Sequence, residues 1–258
     1  MRIQNSSAIV VGGASGLGEA TVRALHGNGA DVTIADVNAE KGQALASDLG
    51  LEFVACDVRE ESQVEAAVQQ AANTGEGGLR IAVCCAGTGW AQKLAGSKGP
   101  HPLMPFETIL QINLIGTFNV LRYAATAMIA NDPAEDNERG VLVTTASIAA
   151  YDGQVGQIAY SASKGGIIGM TVPAARDLSV IGVRVNTICP GVIFTPIYKS
   201  IAGQDADEFL ARLAAPVVFP KRLGRADEFG QLVRSLIEND YMNAEVVRFD
   251  GGIRFQPK

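Results

Sequence analysis

One serine, one tyrosine and one lysine in this chain are spaced to move a proton. Ser147 closes an apolar, β-rich run, and the stretch YSASK follows 13 residues later with Tyr160 and Lys164. Four residues apart on a helix, tyrosine and lysine project from one face, ~6 Å apart along the axis. An ammonium beside a phenol favours the phenolate and is expected to lower its pKa from ~10 toward the working range. Such a tyrosine is a general acid/base. Tyr-x-x-x-Lys by itself is commonplace on solvated helix faces, so its weight depends on what surrounds it.

A second motif supplies that weight. The first apolar strand runs into VGGASGLGEA, with Gly12, Gly16 and Gly18 at the turn into a helix and Ser15 and Leu17 between them. Glycines at a strand-to-helix turn let the backbone approach a pyrophosphate, whose charge then sits at the helix N-terminus. The spacing is G-x-x-x-G-x-G, not the commoner G-x-G-x-x-G. Asp36 closes the second strand, 24 residues beyond Gly12, near the ~20 expected of a ribose-binding carboxylate. A bare helix-cap aspartate is the other reading of Asp36; with the glycines beside it, the dinucleotide reading wins. Its carboxylate accepts from ribose hydroxyls and repels a 2′-phosphate. No arginine or lysine stands in the glycine turn or at Val37, so the cofactor expected is NAD, not NADP.

The elements that must position these residues alternate along the whole chain. Strands are expected at residues 8–11, 31–35, 52–55, 81–85, 141–145, 183–188 and 245–249. Helices are expected at 17–27, 39–49, 62–73, 106–130, 158–178 and 227–238. Short continuous apolar strands separated by amphipathic helices signal a parallel sheet buried on both faces. The fold expected is α/β: one Rossmann-type domain over residues 1–258, with a doubly wound, seven-stranded parallel sheet and helices on both faces. Three stretches break the alternation. Residues 131–140 form an acidic connection that precedes a strand and reads as plain surface. Residues 88–105 and 192–222, the latter with a short helix near 205–213, leave carboxyl ends of strands, where open α/β sheets bind ligands.

Composition narrows the remaining classes. Of 258 residues, 47% are hydrophobic and 19% charged, which provides a core and excludes disorder. The 29 glycines, about 11% against a usual ~7%, call for many tight turns. Net charge is −6, from 21 Lys+Arg against 27 Asp+Glu, so no basic face for nucleic acid or a membrane surface is available in bulk. Charge-free runs reach 16 residues at Ile3–Gly18 and 14 at Thr108–Leu121 and Val185–Tyr198, short of the ~20 a spanning helix needs. Two histidines, His26 and His101, leave no multi-histidine metal site, and no G-x-S-x-G elbow supports a hydrolase. Cys56, Cys84, Cys85 and Cys189 form no C-x-x-C pair and read as reduced, mostly buried thiols. With a strand beginning near Ser7 and no targeting segment in the chain as given, the compartment expected is the cytoplasm.

Together these motifs resemble the classical short-chain dehydrogenase/reductase family over essentially the whole chain. The matching pieces are the glycine turn, Asp57-Val58 after the third strand, Cys85-Ala86-Gly87 after the fourth, and Asn113. Ser147, Tyr160, Lys164 and the Pro190-Gly191 turn with Thr195 complete them. More narrowly, GQVGQIAYSASKGGIIGMT, the two long insertions and the ending RFDGGIRFQP resemble the type-2 3-hydroxyacyl-CoA dehydrogenases, a subgroup that includes type-10 17β-hydroxysteroid dehydrogenases. The resemblance implies that Tyr160 exchanges the hydroxyl proton, Lys164 tunes it and holds the nicotinamide ribose, and Ser147 binds the substrate oxygen. It further implies a water relay from Lys164 supported by Asn113, for which a buried bracing amide is the plain alternative. Asp57 and Val58 would meet adenine, Ile193 and Thr195 the carboxamide, and Gln154 the substrate. Two positions depart from the family pattern: Val11 stands where threonine is usual before the turn, and Cys85 where asparagine is usual.

The activity expected is NAD-dependent interconversion of a secondary alcohol and a ketone, with a 3-hydroxyacyl-CoA as substrate. The alternatives are a hydroxysteroid dehydrogenase, a 3-oxoacyl-carrier-protein reductase, and a non-catalytic NAD-binding scaffold. A reductase of lipid synthesis would want NADPH and a basic residue near the ribose, and a scaffold would be expected to lose Tyr160 or Lys164. The two excursions carry Trp90, Leu94, Leu103, Met104, Ile197, Phe209, Leu213, Val217 and Phe219 with Lys93, Lys98, Lys221 and Arg222. The apolar set suits acyl chain and steroid alike; the cations favour a CoA ester, which brings phosphates. Apolar residues on more than one face of helices 106–130 and 158–178, Ala124, Ala125, Ile167 and Ile168 among them, lead to a homotetramer, the assembly the resemblance implies.

Overall fold

The structure, a computed structural model, describes residues 1–75, 77–97, 99–195 and 206–257. Seven strands form one all-parallel sheet: β1 (Ser7–Val11), β2 (Asp31–Asp36), β3 (Glu52–Ala55), β4 (Leu79–Cys84), β7 (Gly140–Thr145), β8 (Val183–Pro190) and β11 (Val246–Phe249). Two-residue strands β5 (Ala95–Gly96) and β6 (Gly99–Pro100) make a small hairpin, and β9 (Ile193–Phe194) pairs with β10 (Gly224–Arg225). The order across the sheet is β11-β8-β7-β4-β1-β2-β3. The strand order reverses between β1 and β4, the crevice where doubly wound sheets hold dinucleotides.

Strand periodicity divides the core. Ile9 and Val11 of β1 face one side with Val64, Val68, Val120, Ala124 and Met128. Ala8 and Val10 face the other with Val22, Leu25, Phe229, Val233 and Ile237. These residues belong to α3 (Glu61–Asn73) and α5 (Gly116–Ile129) on the first face, and to α1 (Gly16–His26) and α8 (Ala226–Glu238) on the second. Side chains of a strand alternate between faces, so a strand buried on both reads as an unbroken apolar run. That is why β1 and β7 are buried throughout. α2 (Ala39–Leu49) follows β2, α6 (Ile158–Leu178) precedes β8, and α7 (Ala206–Ala214) lies in the second excursion.

The helix expected at 106–130 is three pieces. α4 (Leu103–Leu110) runs into a π turn at Gln111–Ile115, then into α5. The Gly116 amide donates to the Gln111 carbonyl, five residues back. A side chain at Gly116 would strike Val58, its Cβ only 2.5 Å from Val58 Cγ2, so α5 approaches the third-strand loop at a point only glycine allows. The wide turn carries Asn113, and π turns collect at functional sites. The helix expected near 205–213 is α7; Asp205, like Lys98 and Ile197, lies outside the described residues.

Candidate active site

The register of the central strands brings the candidate residues to one edge. Val11 is level with both Ala35 and Cys84, and Cys84 with Thr144. Gly12 therefore follows β1, Asp36 ends β2, Cys85 follows β4 and Ser147 follows β7 side by side. The Gly12 amide donates to Ala35 O at 2.8 Å and the Cys85 amide to Val11 O at 2.7 Å, which ties the loops into one rim.

Between them lies a cleft of two joined cavities. The first, about 410 Å³, is lined by the glycine turn, Asp36, Asp57, Val58, Ala86 and Ile112. The second, about 350 Å³, is lined by Thr145, Ser147, Tyr160, Lys164, Pro190, Ile193 and Thr195. Leu17, Cys85, Gly87 and Thr88 border both. Gly16 flanks the turn beside Thr195 on an adjoining surface. A dinucleotide is a two-ended ligand, and this is a two-ended cleft. The fit extends to the donors. α1 begins at Gly16 after Ser15, whose side chain makes no cap hydrogen bond, so first-turn amides are available to an anion. Gly12 (φ +77°) and Gly18 pack too closely for side chains, their Cβ positions 2.5 Å from Ala86 N and 1.9 Å from Gly12 O. Asp36 sits with one oxygen on Ala14 N and the other on Asn38 N, both 2.9 Å, and its carboxylate borders the cavity.

Lys164 is buried on α6 and donates from Nζ to Thr145 O at 2.8 Å. An ammonium has three donors, so two remain for hydroxyls in the cavity it lines. Burial pushes its pKa down to about 8. Nζ lies 5.9 Å from the centre of the Tyr160 ring. Ser147, also buried, accepts from Ala149 N at 3.1 Å and borders the same cavity as Tyr160. The expected lowering of the phenol is corrected here. Burial outweighs every other influence and holds Tyr160 above its ordinary value; Ser147 pulls it down, and Cys189 adds to the rise. Helical spacing brings the ammonium near but says nothing of desolvation, which is the larger effect when both groups leave water.

Asn113 is fully buried, and its amide clasps Thr88: Oδ1 accepts from Thr88 N at 2.8 Å, and Nδ2 donates to Thr88 O at 2.9 Å and to Ser163 Oγ at 3.0 Å. A Cβ on Gly87 would come 3.2 Å from both Asn113 Oδ1 and Lys164 Nζ, so this glycine keeps the gap between them open. Cys85 fills the family's asparagine position by accepting from Thr145 Oγ1 at 3.6 Å. Its thiol is pushed up to about 12 by burial, and burial raises the other three thiols too, so none is poised as a nucleophile.

A family model described as "Enoyl-(Acyl carrier protein) reductase" matches residues 12–254. The 3-hydroxyacyl-CoA dehydrogenase type-2 of Drosophila melanogaster is 45% identical over 99% of this chain and 100% of its own length. The human protein of that name is 46% identical over 97% of this chain and 95% of its own. The crystal structure of 3-hydroxyacyl-CoA dehydrogenase type-2 from Mycobacterium avium superposes with a TM-score of 0.93 at 51% identity, covering 98% of each chain. The chain belongs to the short-chain dehydrogenase/reductase family. It is an oxidoreductase of that family, built for a nicotinamide cofactor.

Three residues have partners that the sequence-based reading of this dehydrogenase site does not include. Gln154 is not among the residues bordering the Tyr160 cavity; its Nε2 donates to Gln256 O at 3.2 Å. Arg222, expected as a free cation for phosphate, is locked by Glu228 through two bonds of 2.6 and 2.9 Å. The pair holds the Glu228 carboxyl down at about 2, so Arg222 is withdrawn from that role. Arg59 was not anticipated at all: it borders the first cavity and grips Asp57 through Nε and Nη2, holding that carboxyl below its usual range. The Asp-x-Arg spacing was the available signal. Among the described residues no cluster of three or more His, Cys, Asp or Glu could hold a metal, and no helix is long and apolar enough to cross a membrane.

Proposed function

We propose that this protein is an NAD-dependent dehydrogenase interconverting a 3-hydroxyacyl-CoA and a 3-oxoacyl-CoA. The observation that carries it is the Ser147–Tyr160–Lys164 group, its serine and lysine buried and its tyrosine half-buried, at one end of a two-part cleft whose other end holds Asp36. A nicotinamide bound along this cleft would supply the hydride acceptor for the alcohol carbon. The chain's own residues handle the proton. Tyr160 Oη accepts it from the substrate hydroxyl, and Ser147 Oγ holds the substrate oxygen in line. Lys164 keeps a positive charge beside the phenol and offers its remaining donors to the ribose. Asn113 fixes Thr88 at the cleft wall, and a water in the gap left by Gly87 would connect its Oδ1 with Lys164. Asp57 and Val58 receive adenine, and Ile193 and Thr195 the carboxamide.

The acyl-CoA substrate is supported by the names of the full-length relatives and by the exposed apolar rim. Trp90, Leu94, Leu103, Met104 and Phe219 are all exposed, while Val217 is buried against Ile148 and Ile253. Of the four cations expected to meet phosphate, Lys93, Lys98 and Lys221 remain, Lys98 lying outside the described residues. NADH absorbance across a panel decides the assignment: 3-hydroxybutyryl-CoA or a longer homologue is expected to show higher kcat/KM than 17β-estradiol. Preference for the steroid overturns the substrate; NADH binding without turnover of any alcohol leaves the scaffold reading.

Asp36→Ala is expected to lower the NAD/NADP ratio of kcat/KM at least ~10-fold, because the carboxylate that repels a 2′-phosphate is gone. NAD affinity falls as well, since Ala14 and Asn38 lose their acceptor. An unchanged ratio places Asp36 off the ribose.

Ile115, Phe118 and Ile129 on the α5 side and Ile158 and Val172 on α6 are exposed apolar residues. Such faces on two helices call for a partner, and we assign them to contacts within a homotetramer. Light scattering at micromolar concentration should give about four times 26.9 kDa; a monomer overturns it. Four free cysteines accord with a reducing compartment such as the cytoplasm.

A further inference from the structure

The last residues described touch the connection between Ser147 and Tyr160 and the Val217–Phe219 segment. After β11 the chain turns at Asp250–Gly252, where the Gly252 amide donates to Asp250 Oδ1 at 2.9 Å. Ile253 is fully buried against Val217 and Ile148, the residue that follows Ser147. The amides of Val218 and Phe219 both donate to Gly251 O, at 3.0 and 3.1 Å. Farther on, Val155 N donates to Pro257 O at 3.1 Å and Gln154 Nε2 to Gln256 O at 3.2 Å. Asp152 pairs with Arg248 at 3.1 Å and with Arg254 at 4.0 Å. From the opposite side, Gln92 N donates to Gly156 O at 2.8 Å.

Residues 151–157 join the Ser147 turn to the helix that carries Tyr160, without regular structure of their own. A segment of this kind has few local restraints, and its geometry follows from whatever holds it. The terminal residues supply two main-chain carbonyls on one side, and the loop after β4 supplies one amide on the other. Resting on the dehydrogenase reading above, we propose that residues 254–257 are a strap that sets the shape of the substrate-binding edge. Gln256 and Pro257 are its positioning residues, acting through their carbonyls on Gln154 and Val155. Gln154 thereby serves the substrate end as an anchor for the loop. The adenosine cavity is bordered by the glycine turn, Asp36 and Asp57, none of which the strap touches, so strap and dinucleotide binding are separable.

Deleting Phe255–Lys258, which leaves buried Ile253 in place, tests this. KM for 3-hydroxyacyl-CoA esters is expected to rise at least ~5-fold, most for the longer chains, with kcat within about twofold and NADH Kd unchanged. Amide exchange at Val155 should accelerate in the same variant. Gln154→Ala in the full chain should raise KM in the same direction and add little when combined with the deletion, since both cut one connection. A deletion variant with wild-type KM across chain lengths and wild-type protection at Val155 overturns the strap. Should the deleted chain fail to fold, an unchanged KM in Gln154→Ala overturns it instead. If the full chain oxidises no 3-hydroxyacyl-CoA, the substrate reading fails, while exchange at Val155 still decides the strap.

Discussion

Replacing Tyr160 by phenylalanine is expected to lower kcat by on the order of 10²–10⁴-fold while NADH binding stays within about twofold. The substitution removes one oxygen and keeps the ring, so the shape of α6 and of the cavity it borders persists. What disappears is the phenol placed beside Ser147 to take the substrate proton. Ser147 cannot replace it, because a serine hydroxyl is a far weaker acid and its Oγ already accepts from Ala149 N. The phenol stands above its ordinary pKa in the protein alone, held there by burial. Ionising it thus needs help from the positive charges gathered around it in the working complex, Lys164 among them. Measuring kcat and the NADH Kd side by side separates proton transfer from binding. Near-wild-type turnover to the same product would show that another group carries the proton.

Much of this architecture was readable because parallel strands are apolar on both faces. All seven main strands fall within two residues of their expected bounds at every end, and α2 and α6 match at both ends. The glycine turn, Asp36 and the Tyr160–Lys164 pair were readable for a related reason: their spacing is dictated by local geometry. Where tertiary contact decides, the sequence was silent. The break at Gln111–Ile115 leaves the apolar period of its helix intact, and Gly116 is demanded by Val58, 58 positions earlier. Arg222 looked like a free cation because its bidentate partner Glu228 sits on the next helix. The Gln154–Gln256 hydrogen bond spans 102 residues, so no local spacing signals it. Desolvation of Tyr160 belongs with these cases, since a four-residue spacing fixes direction and leaves burial undetermined.

Lys164→Met is expected to cost at least ~10²-fold in kcat/KM and, unlike the tyrosine variant, to weaken NADH binding as well. Methionine fills nearly the same space, so the loss is of charge and donors rather than of packing. The fold should respond in a way that activity cannot show. Burial holds Lys164 at about 8 rather than 10.5, which means the folded chain releases this proton before the unfolded chain does. Between about pH 8 and 10.5 the unfolded state therefore binds more protons, and this group makes stability rise with pH across that window. Below about pH 8 the lysine is charged in both states, and its full desolvation cost is present. The methionine variant has no such proton to release. Its Tm relative to wild type should be most favourable near pH 7 and decline steadily between pH 8 and 10.5, with loss of the Thr145 hydrogen bond offsetting part of the gain. Thermal unfolding of both proteins across that range, paired with NADH titration at pH 7, checks both halves. A pH-independent difference in Tm would mean that Lys164 is not held near 8. Undiminished NADH affinity would mean that its donors do not reach the ribose.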